Sequence, residues 1–218
     1  MTTSVDALAS GALLLEQPSR GYRFNVDAVF LAEFAGGTRG TAFDLGAGVG
    51  AVGLLLATLS KTPSVTLVER DAAYADLAIK NVERNDLGSR ARVLSVDVSA
   101  LSQEHKGSAS LVVCNPPYFK PGSGRAPAAL KRDARMGEVG PFVRAARELL
   151  GRRGRACFVY PANDFATLLA QLRAAGLEPK RARCVHATTS SRARVVLVEA
   201  QAGKPGGLAF EAPLIERA

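Results

Sequence analysis

Between residues 41 and 199, short apolar runs alternate with helix-length stretches almost without interruption. Runs at 41–45, 65–68, 92–96, 111–114 and 156–160 read as strands; 51–59, 71–85, 140–150 and 163–174 read as helices. In 71–85, Leu77, Ala78 and Val82 recur at helical spacing behind Asp71, a candidate N-cap. The last two runs, 182–186 and 194–199, have no helix between them and form a hairpin. Alternation of this kind predicts an α/β fold in one doubly wound domain. Its sheet is expected to have seven mostly parallel strands, helices on both faces and an antiparallel strand near the edge. Three further segments are expected: an amphipathic helix over 28–34 with Asp27 as its cap, an irregular basic insertion at 119–139, and a tail at 203–218 packed on the surface.

The 218 residues suffice for one well-buried core. No apolar run approaches the roughly 20 residues of a membrane span. Leu13-Leu14-Leu15 is brief and follows no basic segment, so no signal peptide is expected. Cys114, Cys157 and Cys184 lie far apart without metal or redox spacing, which fits a reducing, cytoplasmic setting and no metal. The net charge of +8 points to a polyanionic partner. Three basic sets carry it: Lys120, Arg125, Lys131, Arg132 and Arg135; Arg144, Arg147, Arg152, Arg153 and Arg155; and Lys180, Arg181, Arg183, Arg192 and Arg194.

Residues 44–53 read Asp-Leu-Gly-Ala-Gly-Val-Gly-Ala-Val-Gly between a strand and a helix. Glycines there let the backbone turn tightly and approach a ligand, while the helix offers its first N–H groups. Gly48, Gly50 and Gly53 also satisfy the dinucleotide pattern. Asp44 speaks against a dinucleotide, since its carboxylate would repel a pyrophosphate and suit a cationic amino group. Glu69 and Asp97 end the next two strands, where doubly wound sheets bind ligands.

The run 111–113 is followed by Cys114-Asn115-Pro116-Pro117-Tyr118. Neither proline can donate to a ladder, so the strand closes there with a stiff backbone. That backbone presents an amide, two carbonyls and an aromatic face. The Asn115 side-chain oxygen and the Pro116 carbonyl can accept both hydrogens of a planar amine, and Tyr118 can stack on its ring.

Asp-x-Gly-x-Gly-x-Gly resembles motif I of the Rossmann-like class I S-adenosylmethionine methyltransferases. Asn-Pro-Pro-Tyr resembles motif IV of their amino-group branch, which acts on adenine N6, guanine N2 or a glutamine amide. The segment Gly21–Ala32, Phe119, Ala134-Arg135, Leu197-Val198-Glu199, Gly203-Lys204-Pro205 and Pro213-Leu214 resemble the bacterial tRNA1(Val) adenine-N6 methyltransferase family. Met136 departs from it, since members often carry His or Tyr there.

The resemblance implies N6 methylation of the purine beside the anticodon, with S-adenosylmethionine as cofactor and S-adenosylhomocysteine as product. It implies a cofactor site of Asp44, Gly46, Gly48, Gly50, Glu69 with Arg70, Asp97, Val98 and Asn115, bordered by Phe24, Asn25 and Asp27. Asn115, Pro116 and Tyr118 are the implied catalytic residues. Tyr118, Phe119, Lys120, Arg125, Lys131, Arg132 and Arg135 are the implied RNA contacts, in a protein acting as a monomer. Four alternatives stay open: a protein glutamine N5-methyltransferase, an rRNA guanine-N2 or DNA adenine-N6 enzyme, a silent RNA-binding module, and a nicotinamide oxidoreductase.

Overall fold

The computed structural model of the chain describes residues 2–20, 23–101, 105–116 and 139–216. Five parallel strands lie side by side: β3 (Ala42–Leu45), β4 (Val65–Val68), β5 (Ala91–Leu94), β6 (Ala109–Cys114) and β7 (Leu150–Pro161). Beyond β7 lie β9 (Ala193–Gln201), antiparallel to it, and β8 (Glu178–His186), antiparallel to β9. This is the expected seven-strand frame. The dipeptides β10 (Ala209–Phe210) and β11 (Leu214–Ile215) both pair with β8 and extend it to nine strands among the described residues. The tail expected to lie on the surface therefore joins the sheet. Two-residue pairings carry no readable periodicity, which is why the sequence did not reveal them.

Each central strand is buried on both sides, as parallel sheets require. Leu111 and Val113 of β6 enter one core cluster, with α1 (Val26–Ala35), α2 (Ala51–Thr58) and α3 (Ala72–Arg84). Val112 and Cys114 enter the other, with α4 (Val139–Leu149) and α5 (Phe165–Ala174). Cys114 and Cys157 are fully buried side chains, and burial pushes the Cys157 thiol pKa up to about 12.

Two local readings are corrected. Helix α1 is not amphipathic: Ala28, Leu31, Ala32, Phe34 and Ala35 are buried, and Val29 and Phe30 pack against the same core. Its N-cap is Asn25, whose Oδ1 accepts from the Asp27 N–H at 3.0 Å, so Asp27 stands inside the helix.

The N-terminus forms an unpredicted hairpin of β1 (Thr3–Leu8) and β2 (Leu13–Pro18). Two asparagines of α3 dock it. The Asn81 amide accepts from the Glu16 N–H at 2.7 Å and donates to the Glu16 carbonyl at 2.9 Å; Asn85 does the same for Leu14. Asn81 also donates to the Val49 carbonyl in the Gly-rich turn, at 3.0 Å. Asn81→Ala would leave these buried groups unsatisfied and is expected to cost about 2–3 kcal/mol, read as a lowered Tm in thermal unfolding.

Candidate active site

The strand order reverses between β3 and β6, which are neighbours although far apart in the chain. Doubly wound sheets open a crevice at the carboxyl ends of such a pair. Here Asp44 belongs to β3 and Asn115 follows β6, and both line a crevice that opens to solvent. Phe24 and Gly46 also line it. Sequence reasoning missed Ala28, Val49, Val52 and Tyr74 on the same wall. The available signal was positional, since the helices after β3 and β4 begin at the crevice end of the sheet.

The Gly-rich turn is held from below. The N–H groups of Gly46 and Ala47 both donate to the Val68 carbonyl, at 2.9 and 3.0 Å. Gly46, Gly48 and Gly50 all have left-handed backbones, with φ of +70°, +57° and +91°. Three such residues in five would be strained with any side chain present. A Cβ on Gly53 would collide with Leu67 and press on the Asp44 carboxylate, which accepts from the Gly53 N–H at 2.8 Å. Asp44 is 1% exposed, and burial raises its pKa to about 7 against that hydrogen bond, with the Glu69 charge adding to the rise. A buried carboxylate facing a crevice favours a cationic ligand group.

Glu69 follows β4, accepting from the Gly48 N–H at 2.9 Å and the Asp71 N–H at 2.8 Å. Asp97 follows β5 and caps a 3-10 turn, accepting from the Ser99 N–H and hydroxyl at 2.9 and 2.6 Å. The Ser99 hydroxyl, its N–H and the nearby Arg70 hold the Asp97 carboxyl below its ordinary range. None of Gly48, Gly50, Glu69, Arg70, Asp97 and Val98 lines the crevice: the two glycines sit in the turn between lining residues, and the other four follow β4 and β5 at the strand ends. Asn25 and Asp27 are likewise outside the lining. The Asp27 carboxylate is fully buried and bonded to Arg194 and Asn25.

Asn115 is 9% exposed, and its Oδ1 is buried with no hydrogen-bond partner among the described residues. An orphaned buried acceptor costs about 1–3 kcal/mol. It lies on the crevice wall. Pro116, next to it, is buried. Pro117, Tyr118, Phe119, Lys120, Arg125, Lys131, Arg132, Arg135 and Met136 lie outside the described residues, as do Gly21 and Tyr22.

The third basic set is largely engaged within the protein. Arg181 bonds Glu199 at 2.8 Å and Glu211 at 2.9 Å, Arg183 bonds Glu211 at 2.8 Å, and Arg194 bonds Asp27 and Glu216. Arg155 of the second set donates to the Ala35 and Gly37 carbonyls, at 2.7 and 2.8 Å. Arg152 and Arg153 are exposed at the beginning of β7, the end of the sheet away from the crevice. Fewer cations of the second and third sets are therefore available to a polyanion than their number in the sequence suggests. Identical residue types serve as partners or as free charge according to which acids the fold brings near.

A family model described as the methyltransferase small domain matches residues 25–172, which span the turn, both strand-end acids and Asn115. The chain belongs to that family. It is a methyltransferase of the S-adenosylmethionine-dependent class. A Shewanella sp. (strain W3-18-1) protein named tRNA1(Val) (adenine(37)-N6)-methyltransferase is 28% identical over 185 residues, covering 81% of this chain and 77% of the relative. An Erwinia tasmaniensis protein of the same name is 33% identical over 133 residues, covering 59% and 54%. Among solved structures, a predicted O-methyltransferase from Agrobacterium tumefaciens superposes with a TM-score of 0.70 at 26% identity, over 86% of each chain. The M. jannaschii TYW2 structure in complex with AdoMet has a TM-score of 0.64 over 91% of this chain and 85% of that one; its 16% identity speaks for the fold alone.

Proposed function

We propose that this methyltransferase uses S-adenosylmethionine to methylate the N6 amino group of an adenine in tRNA, beside the anticodon. The observation that carries the reading is the buried Oδ1 of Asn115, on the wall of the crevice and without a partner among the described residues. The relatives' name, tRNA1(Val) (adenine(37)-N6)-methyltransferase, supplies the substrate class.

The residues present fit the cofactor. Asp44 offers a buried carboxylate to its amino group, and Gly46 brings the backbone of the turn to the crevice with a left-handed φ. Glu69 keeps acceptor capacity for ribose hydroxyls, since each carboxylate oxygen has two lone pairs and each is engaged once. Asp97 is held ionised as an acceptor for the adenine amino group. Bound S-adenosylmethionine supplies an electrophilic sulfonium methyl.

The chain's own contribution is orientation. An exocyclic amine is a poor nucleophile because its lone pair is delocalised into the ring. Asn115 Oδ1 and the Pro116 carbonyl accept its two hydrogens. That favours a pyramidal nitrogen whose lone pair is localised toward the incoming methyl, and stabilises the positive charge that develops on nitrogen. The methylated nitrogen is strongly acidic and gives its extra proton to solvent, so no strong base is needed there, and positioning carries most of the rate. The exposed bases of an anticodon loop lower the cost of bringing the amine into a crevice at the sheet's end.

The test is incubation of purified protein with tritiated S-adenosylmethionine and bulk tRNA from the same organism, followed by mass spectrometry of nucleosides. Labelled N6-methyladenosine is expected. Label in guanosine, or in a release factor and not in RNA, would replace this reading.

A further inference from the structure

Helix α1 carries one wall of the crevice, through Ala28 and through Phe24 just before its cap. Core packing through Ala28, Leu31 and Ala32 seats the helix, and polar contacts at its two ends add to that packing. Both ends of the helix are gripped by arginines of β7, β8 and β9, at the antiparallel edge of the sheet. At the N-terminal end, Arg194 of β9 meets Asp27 with a two-pronged fork: Nη1 to Oδ2 at 3.0 Å and Nη2 to Oδ1 at 2.6 Å. At the C-terminal end, Arg181 of β8 stacks over the Phe34 ring at 4.1 Å and donates to the Phe34 carbonyl at 2.7 Å. Arg155 of β7 donates to the Ala35 carbonyl beside it. A carboxylate in the first turn and cations on the last carbonyls also match the helix dipole.

Two acids of the tail complete the grip. Glu211, whose N–H is tied to the Ala182 carbonyl, accepts from Arg181; Glu216, whose N–H is tied to the His186 carbonyl, accepts from Arg194. The two ends differ in one respect. Arg181 and Arg155 hold backbone carbonyls about two helical turns from the crevice, whereas Arg194 holds a fully buried side chain one residue from Ala28.

We propose that Arg194 is a positioning residue for the cofactor site: by fixing the Asp27 carboxylate it sets the 24–28 wall, and Glu216 of the tail steadies it. A bidentate guanidinium–carboxylate pair restrains both distance and orientation, which a single hydrogen bond does not. Asp27, expected from the sequence to border the cofactor, acts on it at one remove. The proposal rests on the reading of the crevice as the cofactor site.

The test uses the full chain and two readouts. The first is calorimetric titration with S-adenosylhomocysteine. The second is hydrogen exchange across α1 without ligand. Arg194→Ala is expected to raise the dissociation constant at least tenfold and to speed exchange at residues 26–30 at least tenfold, with β3 and β4 protected as before. Its kcat at saturating cofactor and its KM for tRNA stay within about twofold. Arg194→Lys, which restores charge and one bond, recovers part of the affinity. Arg173→Ala, which breaks an ion pair with Glu178 remote from α1, changes neither readout. If Arg194→Ala does not fold, Asp27→Asn carries the same expectations, since it keeps the shape and removes the charge.

A folded variant with wild-type affinity and wild-type exchange over 26–30 overturns the proposal. So does a variant whose whole sheet loses protection in step with α1, because that marks a general structural role. Wild-type protein that binds no S-adenosylhomocysteine overturns the cofactor reading instead, and the positioning role with it.

Discussion

Asn115→Ala is expected to lower kcat for tRNA methylation by about 10²–10³-fold, the loss typical when one preorganised polar contact to developing charge is removed. The dissociation constant for S-adenosylhomocysteine stays within about threefold, because the contact belongs to the reacting amine. Single-turnover kinetics and calorimetry on the same preparation separate the two. The variant's thermal stability is the second arm. In the wild type, Oδ1 is a buried acceptor with no partner among the described residues, so deleting it removes an unsatisfied group and none of their hydrogen bonds is lost. Stability unchanged or slightly raised, with activity lost, is the pattern of a site that keeps an unpaired group for its substrate. Equal loss of turnover and cofactor affinity would remove Asn115 from the role assigned to it.

Cofactor affinity is expected to weaken about tenfold for each unit that pH falls below 7. Asp44 is the reason. Its carboxyl, raised to about 7 by burial, is largely protonated at pH 6, and a neutral carboxyl has little attraction for an ammonium group. Ionisation on binding then requires release of one proton, which gives the unit slope. An α-amino group itself loses its proton near pH 8. Affinity therefore peaks between about 7 and 8.

The same group leaves a mark on folding with a definite sign. A carboxyl whose folded pKa exceeds its unfolded value of 3.8 binds more protons in the native state, so its contribution falls as pH rises from about 4 and reaches its full cost above about 7. Asp44→Asn removes that cost. The variant is expected to gain stability relative to wild type as pH rises from 4 to 8, by a few kcal/mol at most. It should also bind S-adenosylhomocysteine weakly, with no unit slope below pH 7. A variant that retains the slope would assign it to another group.

Parts of this molecule were legible without coordinates because they are written in consecutive residues. Val65–Val68 is a strand with the bounds read from its β-branched run, and Asp71 caps α3 through its Oδ1, which accepts from the Ala73 N–H at 2.9 Å. The crowding of glycines behind Asp44 announced a turn that only residues without a Cβ adopt at ease, and three left-handed φ values follow. The pair of prolines after Asn115 announced the end of β6. In each case the deciding energy is local: a side chain acting on its own backbone or on the next turn.

Other features depend on partners tens of residues away, and no local pattern announces them. Asn81 and Asn85 look like polar positions on a helix until β2 is laid against them 65 to 71 residues earlier in the chain. Asp27 looks like a cap and a pocket residue until Arg194 arrives from 167 positions further on. Arg181, Arg183 and Arg194 look like an RNA-binding cluster until the tail brings Glu211 and Glu216 beside them. The sequence by itself determined the doubly wound sheet, the glycine turn and the residue that ends β6, since backbone sterics and periodic burial act over a few residues. Only the tertiary structure decided which charges are free and which hold helix α1 in place. A buried or half-buried charge is governed by the counter-charge within a few ångströms, and that distance has no counterpart in chain separation.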